Sequence, residues 1–223
     1  TLFVESLRIF AWTSALAAVV VDALNNHHAL QGIGLWSVLA CAVLEGFRRG
    51  LRATTGPAAT LLPTWIVWLL CGGSMAAVGI LFGTFDLAAI TAAQARWGLW
   101  TAAVQPLGFA VCAVAVVTIL ADREKTHLAG YLVRLTLAVL GVQLFGGGWH
   151  FWGVSAYTTG ENVTFAAAVL RSLVFVVKIA AVLGGLIFVQ QRWLSRFRFD
   201  LRMTGNILAA MVGMQLLVAL TAE

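Results

Sequence analysis

Charged side chains are scarce in this chain. Lys, Arg, Asp and Glu together make up 10% of its 223 residues, whereas 61% of the residues are hydrophobic. A soluble domain carries about 25% charged residues, and a chain of this length has no soluble way to bury so much apolar surface. The net charge of +5 sits largely in short loops, so it indicates membrane topology rather than binding of nucleic acid. The composition therefore predicts an integral membrane protein.

Residues that build redox or metal centres are also few. The three cysteines, Cys41, Cys71 and Cys112, each fall inside an apolar run without a partner at metal or disulfide spacing. The four histidines lie at the ends of runs or in loops, and His150 follows Trp149 as interfacial anchors often do. No paired histidines for haem, no cysteine cluster, no phosphate loop and no Ser-His-Asp arrangement are present. We therefore expect no cofactor and no metal bound by this chain itself.

Long apolar runs are what the sequence does contain. A helix needs roughly 20 apolar residues to cross the hydrocarbon core, and the absence of period-two alternation excludes membrane strands. The seven candidate runs are Leu7–Leu24, Leu30–Phe47, Leu61–Phe82, Leu99–Leu120, Leu128–Phe145, Val163–Val189 and Gly205–Leu220. They predict an all-α, polytopic transmembrane bundle of about seven spans that forms one membrane domain over residues 1–223. Pro106 is expected to kink the fourth span, and the glycines after Phe145 to end the fifth.

Basic residues mark every second loop between these runs. Such residues accumulate on the cytoplasmic side of a membrane protein. They are Arg48, Arg49, Arg52, Arg123, Lys125, Arg192, Arg196, Arg198 and Arg202, and Arg8 lies on the same side at the start of the first run. The opposite loops hold only Arg96, and no cleavage-site pattern follows the first run. We therefore expect a multi-pass protein of the inner (cytoplasmic) membrane, in contact with lipid, with its N-terminus in the cytoplasm.

Charges inside the runs are the best clue to function, because each one needs a partner or a water path. Arg134 lies in the fifth run, and Arg171 and Lys178 lie seven residues apart in the sixth, a spacing that puts both on one side of a helix. Asp22 and Glu45 are the acids nearest to the spans. Since the cations outnumber the acids, we expect these five residues to form an ion path or an interface with another membrane subunit. Snorkelling of Arg134 and Arg171 to the interface is the alternative.

Two charged segments on the expected cytoplasmic side could contact a partner. Asp122–Lys125 is a dense charged turn whose simpler interpretation is a solvated loop. Arg196–Asp200 alternates basic and aromatic residues, a pattern that suits either anionic lipid headgroups or a cytoplasmic protein.

The order of several motifs resembles a known family. Ala129-Gly130-Tyr131 opens the fifth run, Leu-Phe-Gly-Gly-Gly-Trp-His closes it at residues 144–150, Lys178 lies midway along the sixth, and Arg192–Met203 reads RWLSRFRFDLRM. Over about residues 104–220 this order resembles mitochondrial subunit 1 of respiratory complex I and its relatives in membrane-bound hydrogenases. That family has Ala-Glu-Tyr, Phe-Leu-Gly-Gly-Trp, a lysine in the next helix, and then an Arg-x-x-x-Pro-Arg-Phe-Arg-Tyr-Asp loop.

The resemblance implies a membrane anchor subunit, without catalytic residues of its own, in an oxidoreductase complex. It would join a cytoplasmic iron–sulfur or hydrogenase-like module to antiporter-like membrane subunits, and contribute to proton or quinone coupling. The residues expected to dock the cytoplasmic module are Arg123, Glu124, Arg196, Arg198 and Asp200. A lysine in a dry bundle releases its proton readily, so Lys178 is a candidate proton relay. A structural role for Lys178 is the alternative.

Departures from the family pattern limit these expectations. The long acidic loop of the family shrinks to Thr126-His127, Gly130 replaces its glutamate and Ser195 its proline. The missing acids argue against an intact quinone site, although quinone binding stays open. Two other functions also stay open at this stage. One is a stand-alone small-solute or ion transporter, which the cations inside the runs favour and the lack of an inverted repeat disfavours. The other is a purely structural anchor.

Overall fold

The computed structural model describes residues 2–24, 32–53, 64–121, 128–151, 165–192 and 213. All regular structure in these ranges is helical. The helices, in chain order, are α1 (Leu2–Leu24), α2 (Ile33–Ala53), α3 (Thr64–Leu81), α4 (Leu87–Trp97), α5 (Thr101–Val104), α6 (Pro106–Ala121), α7 (Leu128–Phe145) and α8 (Phe165–Arg192).

Three of these helices are long and apolar enough to cross a membrane. The qualifying segments are Val4–Asp22 in α1, Leu128–Phe145 in α7 and Phe165–Phe188 in α8. Ile66–Leu81 and Pro106–Val117 are shorter apolar helices. The chain is therefore a helical membrane protein. The seventh predicted run, Gly205–Leu220, lies outside the described residues apart from Gly213.

The helices pack as a bundle with two distinct ends. α1 packs against α2 and α7, α2 against α3, α3 against α6, and α7 against α8. At one end, Arg8 near the start of α1 pairs with Glu45 near the end of α2. At the other end, Asp22 near the end of α1 accepts from the amides of Gly32 and Gly34. We call the first the Arg8 end and the second the Trp100 end, because Trp100, the residue before α5, lies there. α1 and α2 are therefore antiparallel.

Aromatic residues sit both in the bundle core and across the Trp100 end. Trp12 and Trp68 are buried, and their rings are 5.7 Å apart in the contact between α1 and α3. At the Trp100 end, Trp36 lies 4.8 Å from Phe85 and so joins the start of α2 to the turn after α3. Rings in this position are typical of a membrane interface.

A short helix that the sequence analysis missed lies at the Trp100 end. Asp86 caps the start of α4, where its carboxylate accepts from the Ala88 amide at 2.9 Å, and Gly98, with a φ of 66°, caps its end. Its buried residues, Leu87, Ile90, Thr91 and Gln94, share one face and turn it toward the bundle. α4 packs against α1 and α7. With 11 residues it is too short to span a bilayer, so it does not stand out in the sequence as a long apolar run.

The predicted kink at Pro106 is instead a helix boundary. α5 ends at Val104, Gln105 has φ −124° and ψ 67°, and α6 begins at Pro106. Proline at the first helical position loses no helical hydrogen bond, because that amide has no partner within the helix. The residue before a proline is also disfavoured in the helical conformation. The fourth predicted span is therefore a single turn followed by the separate helix α6.

Candidate functional site

A glycine loop after α7 forms the centre of the candidate site. We call residues 146–151 the glycine loop. The amides of Gly146 and Gly148 both donate to the carbonyl of Val142, at 3.0 and 2.9 Å. Gly147 and Gly148 have φ values of 70° and 51°, which favour glycine. A Cβ on Gly147 would lie 2.7 Å from Cδ1 of Trp100. The loop therefore has a set shape and packs closely against the α5 region.

Lys178 fills the concave side of this loop. Its Nζ donates to the carbonyls of Gly146 at 2.7 Å, Gly148 at 3.1 Å, and His150. Nζ also lies 4.7 Å from the centre of the Trp100 ring. Among the residues that the structure describes, no carboxylate forms an ion pair with Lys178. The charge of this lysine is thus stabilised by main-chain carbonyl dipoles and by the face of the Trp100 ring.

A buried polar network supports the loop from behind. Thr91 Oγ1 donates to Gln143 Oε1 at 2.7 Å. Gln94 Nε2 donates to the carbonyls of Gln143 and Leu144 at 3.0 and 3.3 Å, and Gln94 Oε1 accepts from the Thr101 amide at 3.0 Å. The four polar side chains are all buried. They fix α4 and the start of α5, and so the position of Trp100, against the last turn of α7.

The other two predicted cations also have aromatic neighbours within the chain. The guanidinium carbon of Arg171 lies 4.2 Å from the centre of the Trp149 ring, and that of Arg134 lies 5.7 Å from the Tyr131 ring. Arg171 and Lys178 are on one side of α8, as their spacing predicts, and both contact the segment that follows α7. Sequence reasoning expected the charges to need another subunit or water, and did not foresee these contacts.

The two predicted acids lie at opposite ends of the bundle. Asp22 is 2% exposed and accepts from the amides of Gly32 at 3.1 Å and Gly34 at 3.3 Å. It therefore caps the start of α2, where a negative charge is favourable. Glu45 is 4% exposed; it accepts from Arg8 and lies 2.9 Å from Nη2 of Arg48. The five predicted site residues therefore do not form one cluster.

The residues predicted to dock a cytoplasmic module are Arg123, Glu124, Arg196, Arg198 and Asp200. All five lie outside the described residues. Their expected role stays a prediction.

His150 belongs to the site, although sequence reasoning treated it as an interfacial anchor. It is 2% exposed, its amide donates to the Gly147 carbonyl at 2.6 Å, and its carbonyl accepts from Lys178. Burial lowers the pKa of the imidazole, and the nearby charge of Lys178 lowers this pKa further. Both effects favour the neutral form of the imidazole. A histidine two residues after a glycine run, with a lysine in the next helix, was the available signal.

The site can hold a cation, but the described residues form no side-chain metal centre around it. In the described part of the chain no three His, Cys, Asp or Glu side chains gather as a metal site would require. Comparisons with protein-family models and with curated proteins find no match for this chain.

Proposed function

We propose that this chain is a membrane anchor subunit of a redox-driven, ion-translocating assembly related to complex I. One observation carries the proposal. Two parts of the motif order, the Gly-Gly-Gly-Trp-His segment and Lys178, are about 30 residues apart in sequence and bind each other directly through three hydrogen bonds. A direct contact gives a physical reason for these motifs to occur together. It therefore supports the resemblance on which the proposed function rests.

The internal pairing of charges favours a scaffold over an ion path within this chain. Lys178 is held by carbonyls, Glu45 by two arginines, and Asp22 by helix amides. Groups fixed in this way are poorly suited to passing an ion along. We therefore assign ion translocation to neighbouring antiporter-like subunits, and electron transfer to an iron–sulfur or hydrogenase-like module on the cytoplasmic side.

α8 is the helix that we place against a neighbouring membrane subunit. Lys178 lies midway along α8 and contacts the segment after α7, and Arg171 contacts the same segment. The turns of α8 before Arg171 therefore extend past the end of α7. Phe165 and Val169 on these turns are 86% and 51% exposed, and Leu173 is 58% exposed. Such a surface suits contact with apolar side chains of a partner helix or with lipid.

The same proposal includes about seven spans with a cytoplasmic N-terminus in the inner membrane. The Arg8 end then faces the cytoplasm together with Arg123, Glu124, Arg196, Arg198 and Asp200, which would dock the redox module. A membrane-impermeant thiol reagent, added to cells whose outer membrane has been permeabilised, should label Arg96→Cys on the non-cytoplasmic side. It should not label Lys125→Cys on the cytoplasmic side. Labelling of Lys125→Cys alone would reverse the proposed orientation.

Expression of the chain by itself separates an anchor subunit from a transporter. We expect it to be degraded, or to aggregate in mild detergent, in a host that lacks partner subunits, and to accumulate in its native membranes. An anchor subunit behaves in this way because its partner-facing surface is left uncovered. A chain that accumulates alone as a monodisperse particle and moves a solute or ion across vesicle membranes would contradict the proposal and indicate the transporter.

A further inference from the structure

We propose that the glycine-loop carbonyls and the face of Trp100 form a binding cradle for a primary ammonium ion. Lys178 supplies that ion in the native chain. A free alkylammonium ion binds in the cradle when the lysine side chain is shortened. This proposal goes beyond the anchor function and does not depend on it, because it concerns only contacts within the chain.

The number and kind of ligands match an ammonium group. A lysine ammonium has three N–H donors and no acceptor, and three carbonyl oxygens, of Gly146, Gly148 and His150, accept from it. Hydrogen bonds from a charged donor are about twice as strong as neutral ones. The three carbonyls of the cradle therefore match the three donors of the ammonium.

The aromatic face completes a cradle for a single positive charge. Nζ of Lys178 lies 4.7 Å from the Trp100 ring centre, within the distance of about 6 Å at which a cation is attracted to a ring. Phe151 lies at 6.0 Å. Carbonyl dipoles and the ring quadrupole carry no full negative charge, so the cradle suits a monovalent cation better than a divalent ion, which prefers carboxylates.

The cradle owes its shape to contacts that do not involve Lys178. Two loop amides donate to the Val142 carbonyl, Gly147 packs against Trp100, and Gly148 packs against Gln143 and Thr91. The loop is therefore preorganised and should keep its shape when the lysine side chain is cut back. In the native chain the tethered ammonium excludes free cations from the same position.

Chemical rescue of Lys178→Ala tests the proposal. The substitution removes three carbon atoms, Cγ, Cδ and Cε, together with the ammonium, and propylammonium contains three carbons and an ammonium. We expect the variant, in detergent micelles, to unfold at a Tm lower by roughly 5–10 °C, and propylammonium chloride to restore at least half of that loss. Propanol, tetramethylammonium chloride and sodium chloride at matched ionic strength should restore little, since propanol lacks the charge and tetramethylammonium lacks N–H donors.

Three outcomes would overturn the cradle. One is an unchanged Tm of Lys178→Ala, a second is no rescue by propylammonium, and a third is equal rescue by propanol, which would indicate simple filling of a cavity. Arg171→Ala provides the matched control on the same side of α8 and should not be rescued by propylammonium. If Lys178→Ala does not accumulate, Lys178→Met decides the question. This variant keeps the apolar stem without the ammonium, so a clear loss of Tm supports the cradle and a wild-type Tm contradicts it.

Discussion

Gly148→Ala places a methyl group at the tightest point of the glycine loop. The new Cβ would clash with Oε1 of Gln143 and lie 2.9 Å from Oγ1 of Thr91. These two atoms share a hydrogen bond in the buried network. Gly148 also has a φ of 51°, a conformation that alanine adopts only at a cost. The substitution therefore strains the backbone and disrupts the network behind the loop.

The expected loss follows from these two effects. The left-handed backbone costs a residue with a Cβ about 1–2 kcal/mol, and overpacking a tight site costs about 1–3 kcal/mol. Together they lower the free energy of unfolding by about 2–5 kcal/mol. For a chain of this size each kcal/mol lowers Tm by about 2–4 °C. Gly148→Ala should therefore unfold at least about 4 °C below wild type.

Gly83→Ala is the matched control for this measurement. Gly83 has a similar φ of 62°, but a Cβ there would meet no described atom within 4 Å. It should show only the backbone cost of about 1–2 kcal/mol. Thermal unfolding of both variants, followed by far-UV circular dichroism in the same detergent, gives the comparison. Equal Tm values for the two variants would refute the packing of the glycine loop against Gln143 and Thr91.

Three further substitutions test other contacts, each by Tm in detergent. The free energy of unfolding of wild type should fall as the pH drops below about 6.5, because the pKa of buried His150 is lowered in the folded state and the unfolded state therefore binds the proton first. His150→Gln should remove that part of the pH dependence. An unchanged pH profile in this variant would contradict the burial of His150. Glu45→Gln removes the buried carboxylate that pairs with Arg8 and should lower the free energy of unfolding by about 3–5 kcal/mol. Glu5→Gln, which removes a longer 3.7 Å contact with the same arginine, should lower it by less than about 1 kcal/mol. Similar losses in the two variants would argue against an ion-pair cluster around Glu45. Gln94→Leu breaks three buried hydrogen bonds and should lower the free energy of unfolding by about 2–4 kcal/mol. A wild-type Tm of this variant would contradict the hydrogen-bond network behind the glycine loop.

The long helices were predictable because a bilayer sets the length of an apolar run. The run Leu128–Phe145 and the helix α7 have the same ends, and the sixth run differs from α8 by two residues at its start and three at its end. The glycines after Phe145 also ended the helix as expected. Composition and length decide these features, and both can be read directly from the sequence.

The contacts of the site were not predictable for a different reason. Sequence reasoning sought side-chain partners for Lys178, but its partners are main-chain carbonyls, which every residue carries and no motif distinguishes. α4 was missed because tertiary contacts of Gln94 and its neighbours bury it, and its length does not identify it. The fourth span was predicted as one kinked helix, although Pro106 at a first helical position marks a separate helix equally well.

The most direct test of the proposed anchor function is a tagged pull-down from native membranes in mild detergent, with mass spectrometry of the proteins recovered. We predict co-purification of antiporter-like membrane subunits together with iron–sulfur or hydrogenase-like subunits, in comparable amounts to the tagged chain. Recovery of the chain alone, as a uniform particle from membranes in which it is abundant, would contradict membership of a complex-I-related assembly.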